Sequence, residues 1–248
     1  MTNSDVTVAP ETQGEMGYSF AWYEQFLRDL AAEYDFGRYS DPVDSGTALV
    51  RHDVDLSPER ALHMAKIERR HGVRATYFFL VSSPMYNVLN ADTREVLATI
   101  REMGHDVGLH FSTHQYWEPD DVPSTDDAIA ERVGDEWELL STVVDPIETV
   151  SFHIPPDGVL RREFEAFPST YEPRFFTDID YCGDSNQRWR GNPPDVAALE
   201  ERLQLLVHPG LWGEGDGVFD ERVREGVAEM ESRTQDYAES RYITQQYG

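Results

Sequence analysis

Cations are scarce in this chain: 21 Lys+Arg stand against 47 Asp+Glu, a formal net charge of -26 over 248 residues, and Lys66 is the sole lysine. A partner held through phosphate backbones needs clustered cations to release counterions, so nucleic acid is excluded as a partner. An anionic membrane surface is disfavoured for the same reason. Cysteine is nearly absent too; Cys182 stands alone, which rules out an intrachain disulfide and any multi-cysteine metal site. A lone thiol beside Asp184 reads as inert packing. No stretch approaches the ~18 apolar residues of a membrane span. The opening MTNSDVTVAPETQGEMG lacks a basic region followed by an apolar one, so no export signal is expected and the expected location is cytoplasmic.

What is present supports a folded protein. Hydrophobic residues make up 40% and aromatic residues 12%, which suffices for a core and argues against disorder. An acidic, lysine-poor surface suits a halophile: in molar salt the Debye length falls to ~3 Å and self-repulsion is screened. The length fits one α/β barrel. Residues 1–15 are polar and turn-rich and read as a loose tail; no repeat, linker or low-complexity tract divides residues 16–248, which read as a single domain.

Short β-branched and aromatic runs predict strands over 48–54, 75–81, 106–111, 149–154 and 203–208. Helical spacing of apolar residues predicts helices over 20–34, 58–71, 93–103, 126–143 and 219–230. Ser57 before Pro58 and Glu59 suits a helix N-terminus, and Gly72 and Gly104 suit helix ends. Strands alternating with helices imply a parallel sheet covered on both faces.

The chemistry-bearing residues fall where such a sheet gathers them. His52, His110, His153 and His208 lie in or at the end of predicted strands, and Asp53 and Asp55 end the first one. In parallel α/β folds the carboxyl ends of strands converge on one rim, where sites are built. His110 and His114, separated by three residues, can present two imidazoles on one side, and one carboxylate would complete the His₂Asp composition of a zinc site that keeps a position open. Asp53 and Asp55 share a face of their strand, so one can ligate a cation while the other stays free as a base. His208 ends a buried strand and suits a general acid. His52 and His153 can orient a carboxylate or fill the rim. Trp189, Trp212 and Tyr116 offer ring faces for stacking on a sugar.

Together these blocks resemble the polysaccharide deacetylase, or NodB-homology, superfamily of carbohydrate esterase family 4. RHDVD (51–55), GHDVGLHFSTH (104–114), SFHIPP (151–156), DSNQRW (184–189) and LLVHP (205–209) follow the family's order and span about residues 45–215. The resemblance implies a distorted (β/α)₇ TIM-like barrel and a metal-dependent hydrolase that removes acetyl groups from amino sugars. Zinc is the metal it implies first, with cobalt, nickel or manganese as substitutes. Carried over by position, Asp55, His110 and His114 become the metal ligands, Asp53 the base and His208 the acid. Asp184 and Trp189 become the pair that orients the acid and walls the pocket, with His52, His153, Pro155, Trp212 and Tyr116 on the substrate side. Two departures stand out: Val54 separates aspartates that are adjacent in the family, and His153 stands where the family has arginine. The expected substrate is an acetylated sugar or cytoplasmic glycan precursor, whose cationic amine product suits the acidic chain. The alternatives are a non-catalytic carbohydrate-binding barrel and a hydrolase of a non-sugar amide.

Overall fold

The computed structural model describes residues 16–123 and 125–244; the tail expected at 1–15 lies outside the described residues. In chain order the main elements are α1 (Phe20–Glu33), β1 (Asp35–Phe36), β2 (Thr47–Val54), α2 (Pro58–Arg70), β3 (Ala75–Leu80), α3 (Ala91–Glu102), β4 (Asp106–Phe111), α4 (Asp126–Ser141), β5 (Val150–Phe152), α5 (Pro173–Phe176), β6 (Asp180–Gly183), β7 (Arg202–Val207) and α6 (Phe219–Ala238). The helix boundaries follow local chemistry. Ser57 caps α2 by accepting from the Arg60 amide at 3.2 Å, with Pro58 in the first turn. Gly72 and Gly104, at φ 71° and 96°, carry the chain out of α2 and α3 through the left-handed region that glycine tolerates.

The strands form one parallel seven-stranded sheet, ordered β5-β4-β3-β2-β7-β6, with β1 added to β2. β3 and β4 are buried along their whole length, because helices cover one face and the curled sheet encloses the other. This is the α/β barrel-like fold expected from the alternating pattern. Its wall is not continuous, since β5 and β6 do not pair. The chain between them fills the gap: Thr170 donates its amide to the Val150 carbonyl at 3.0 Å, and the Gln204 side-chain amide of β7 donates to the carbonyls of Thr170 and Phe175 at 3.2 and 2.7 Å. Below the rim, Tyr39, Leu49, Phe78 and Phe175 plug the interior. Gly108 on β4 admits Phe78, whose ring would lie 2.6 Å from any Cβ there. Among the described residues no helix is long and apolar enough to cross a membrane.

Candidate functional site

The site starts from the alternation of β2. His52 faces outward toward the helices, whereas Arg51 and Asp53 face into the barrel. Asp53 is buried, and a buried carboxylate is tolerated only with partners. Arg51 grips it with two bonds, Nε to Oδ1 at 2.9 Å and Nη2 to Oδ2 at 2.7 Å; the Ser151 hydroxyl donates to Oδ1 at 2.9 Å. Arg51 Nη2 also donates to Ser151 Oγ at 2.7 Å and Tyr171 Oη at 2.9 Å, so strands β2 and β5 and the gap-filling segment all hold one carboxylate. Burial alone would raise the Asp53 pKa, but the Arg51 and His110 charges outweigh it and hold the group down to about 2. The guanidinium beside Asp53 comes from its own strand.

Two residues further on, Asp55 meets two imidazoles. Its Oδ1 lies 3.1 Å from His110 Nε2 and 3.0 Å from His153 Nδ1, and the three donor atoms fall within 4.8 Å of one another. The Ser151 carbonyl, 3.2 Å from His110 Nδ1, can only accept, so Nδ1 carries the proton and Nε2 turns toward Asp55. In the neutral ring that sets a lone pair against a carboxylate oxygen, a conflict that a shared cation removes. Tetrahedral ligands about 2.1 Å from zinc sit about 3.4 Å apart, near the observed spacing. One carboxylate and two imidazoles therefore fit a divalent cation. Burial would raise the Asp55 pKa, yet the adjacent His110 and His153 imidazoles, when protonated, hold it well below the usual carboxylate range. Burial lowers the His153 pKa, but the Asp55 carboxylate outweighs this and raises it.

The third ligand expected from the sequence was His114, and the structure places it elsewhere. His110 is in β4, the strand ends at Phe111, and His114 lies exposed on the one-turn 3-10 helix Thr113–Gln115. The spacing of four aligns two side chains along a continuous helix, and here the chain leaves the strand between them. His153, expected on the substrate side, joins Asp55 and His110 in the cluster instead.

Across the rim, Asp184 and His208 form a pair. Nδ1 of His208 lies 2.6 Å from Asp184 Oδ1, the His208 amide donates to the same carboxylate at 3.1 Å, and Trp212 Nε1 donates to Oδ2 at 2.8 Å. Burial would lower the His208 pKa, but the Asp184 charge and hydrogen bond push it up to about 9. Nδ1 is thus committed, and Nε2 remains as the free ring nitrogen of a residue that lines the cleft.

Asp53, Asp55, His110, His153, Pro155 and His208 all line this cleft of about 390 Å³. Ile154 at its mouth has φ 44° and is 65% exposed, a β-branched residue in a region that costs of order 1–3 kcal/mol. This reversal also ends β5 at Phe152 rather than at the expected 154. The expected ring platforms are not here. Trp189 and Trp212 are buried and pack on each other at 5.9 Å and on Trp22 and Phe26, because an aromatic cluster seals α1 against the sheet. Tyr116 donates to Glu136 Oε1 at 2.8 Å and does not line the cleft. His52 lies behind the sheet, fully buried, with Nε2 2.5 Å from Glu68 Oε1. Tyr23 and Tyr77 also donate to Glu68, each at 2.6 Å, and His105 Nδ1 lies 3.6 Å away. Arg51, Ser151, Tyr171 and Ile154 escaped the sequence reading; only the alternation of RHD, which puts Arg51 on the face of Asp53, could have pointed to the first.

The class these features define is a parallel α/β barrel whose rim carries a carboxylate–imidazole site suited to a divalent cation. No family model matches the chain, and no curated protein matches it. Solved structures do resemble it. A peptidoglycan deacetylase from Bacillus subtilis aligns at 15% identity over 84% of this chain and 100% of that one, with a TM-score of 0.45. A family 4 acetyl xylan esterase from Clostridium thermocellum, in complex with a cobalt ion, aligns at 16% identity over 75% and 84%, with a TM-score of 0.39. A CE4 family pseudoenzyme from Bacillus anthracis aligns at 14% identity over 77% of this chain, with a TM-score of 0.42; the chain spans 62% of that protein's length. Activity does not transfer at such identities, and what the site does rests on its own side chains.

Proposed function

We propose that this protein is a metal-dependent hydrolase that removes an acyl group, in the simplest case acetyl, from the nitrogen of an amino sugar or glycan precursor. The observation that carries the reading is the convergence, in one cleft, of an Asp55–His110–His153 donor set, the Arg51-held carboxylate of Asp53 and the Asp184–His208 pair. Asp55, His110 and His153 would hold a divalent cation, zinc or else cobalt, nickel or manganese, which supplies Lewis acidity at the carbonyl and acidifies water there. Asp53, ionised at any working pH, accepts the proton of the attacking water. The water oxygen bonds to the acyl carbon, the C–N bond breaks, and the proton of His208 passes to the departing nitrogen. A histidine held up to about 9 retains that proton at neutral pH, and Asp184 fixes the tautomer that presents it. The products are a carboxylate and a free amine. A cytoplasmic precursor sugar as substrate, a halophilic setting and an acidic surface that favours a cationic product belong to the same reading.

Asp53→Asn tests it. Acetate release from N-acetylated sugars should fall by ~10²–10⁴, the usual contribution of a general base, while the cation is retained as proof of an intact rim. An unchanged rate would remove Asp53 from the reaction. A second reading, a sugar-binding barrel without turnover, is favoured by one observation: both Asp53 oxygens already accept from Arg51, and Oδ1 also from Ser151. That reading expects acetylated sugars to bind with no acetate released by any metal form.

A further inference from the structure

We infer that the cleft accepts an acyl group that is an apolar chain longer than acetyl. The inference rests on the deacylase reading for the bond that breaks, and it concerns what lies beyond that bond. Past the Asp/His rim, the wall is mostly apolar, made by Leu56, Phe152, Ile154, Leu206, Leu211 and Phe219, with Tyr171, Ser185 and Asn186 as its polar share. A volume of about 390 Å³ is within the range that encloses a ligand many times the size of an acetyl methyl.

A sugar ring suits this wall poorly. Its hydroxyls would be buried against aliphatic carbon without partners, which is costly. The two indoles expected to stack on a sugar are elsewhere, since Trp189 and Trp212 are sealed in the core. The mouth is apolar as well: Ile154 is 65% exposed and Phe219 38% exposed, so two large hydrophobic side chains stand in water beside the reacting groups. Ile154 keeps this position in a backbone conformation that β-branched residues avoid, and such outliers cluster at ligand clamps. The floor is fixed, because Leu56 sits where a Cβ on Gly210 would lie 2.7 Å from Leu56 Cβ and one on Gly226 would lie 3.2 Å from it. A rigid apolar slot that opens onto an amide-cleaving rim fits the tail of an N-acyl group, with the sugar left outside toward solvent.

The test is a chain-length series. Acetate, butyrate, hexanoate and octanoate are titrated calorimetrically into the full-length protein in zinc-supplemented buffer, and N-acetyl-, N-butanoyl- and N-hexanoylglucosamine are compared as substrates. Affinity should rise about three- to fourfold per methylene until the slot is filled. Ile154→Ser and Phe219→Ser, both at exposed positions that do not threaten folding, should flatten the series. A flat series, or a slope unchanged in both variants, would overturn the inference; so would a gain that follows lengthening of the amine side in N-alkylacetamides instead. Acetylglucosamine cleaved faster than the hexanoyl compound, with flat binding, removes the long chain and leaves a deacetylase. A climbing binding series with no acyl release from any compound keeps the acyl slot and removes the hydrolase reading.

Discussion

Asp184 accepts twice from His208, from the backbone N–H at 3.1 Å and from Nδ1 at 2.6 Å, so carboxylate and imidazole are fixed relative to each other at both ends of the same residue. The Trp212 indole holds the other oxygen at 2.8 Å. The ring therefore has no rotational freedom to lose when substrate arrives.

That pair gives the stability a defined pH dependence. The folded pKa of His208, about 9, lies above the ~6.5 of an unfolded histidine, so its contribution is complete below about 6.5 and is lost as pH rises through about 9. The amount is on the order of 3 kcal/mol. In Asp184→Asn, NMR titration of the ring should move well below about 9, and the alkaline loss of stability seen by urea denaturation should shrink accordingly.

Arg51 and Asp53 behave oppositely with pH. Arg51→Met leaves a buried carboxylate without its charge partner and should cost about 3–5 kcal/mol in urea unfolding near pH 7. Because the folded Asp53 pKa of about 2 lies below the unfolded value near 3.9, the pairing stabilises above about pH 4 and is lost as pH falls toward 2. The gap between wild type and variant should narrow across that window.

Cation stoichiometry separates the two candidate ligand sets. Elemental analysis of His110→Ala and of His153→Ala should show the bound cation fall from about one per chain to near zero, and His114→Ala should retain it. Loss in His114→Ala with retention in His153→Ala would restore the set read from motif spacing.

The interior offers a prediction independent of catalysis. Gly108→Ala brings a Cβ to 2.6 Å from Cε1 of Phe78 and 3.2 Å from Cγ1 of Ile147, so the buried ring must shift. Overpacking of this kind costs about 1–3 kcal/mol, read as a lower urea midpoint with an unchanged slope.

The elements were legible because their signals are local. Ser57–Pro58 starts α2 and Gly104 closes α3 through interactions spanning a few residues, and the apolar runs of β3 and β4 announce strands covered on both faces. Asp53, Asp55, His110 and His208 were also readable, since a parallel sheet gathers strand ends whatever the details. His153 rather than His114 joins the Asp55–His110 cluster for a reason that spacing cannot express: the irregular backbone at 153–154 turns one imidazole inward, and a strand end at Phe111 separates the other pair. The tryptophans misled because the sequence reports an aromatic's presence, not the helix that covers it. Trp212 nonetheless serves the site through its indole N–H, on the far side of His208. The gap between β5 and β6, closed by a glutamine side chain, leaves no periodic trace at all.

Glu68 draws on α1, β2 and β3 at once through Tyr23, His52 and Tyr77. A carboxylate shared in this way acts as an index mark for the whole rim. Sliding β2 by one residue would turn His52 into the barrel and Arg51 and Asp53 toward the helices, taking from Glu68 the imidazole that lies 2.5 Å from it. The one register in which Glu68 keeps its imidazole is also the register that aims Asp53 and Asp55 inward, so the fold cannot satisfy its back without setting its front.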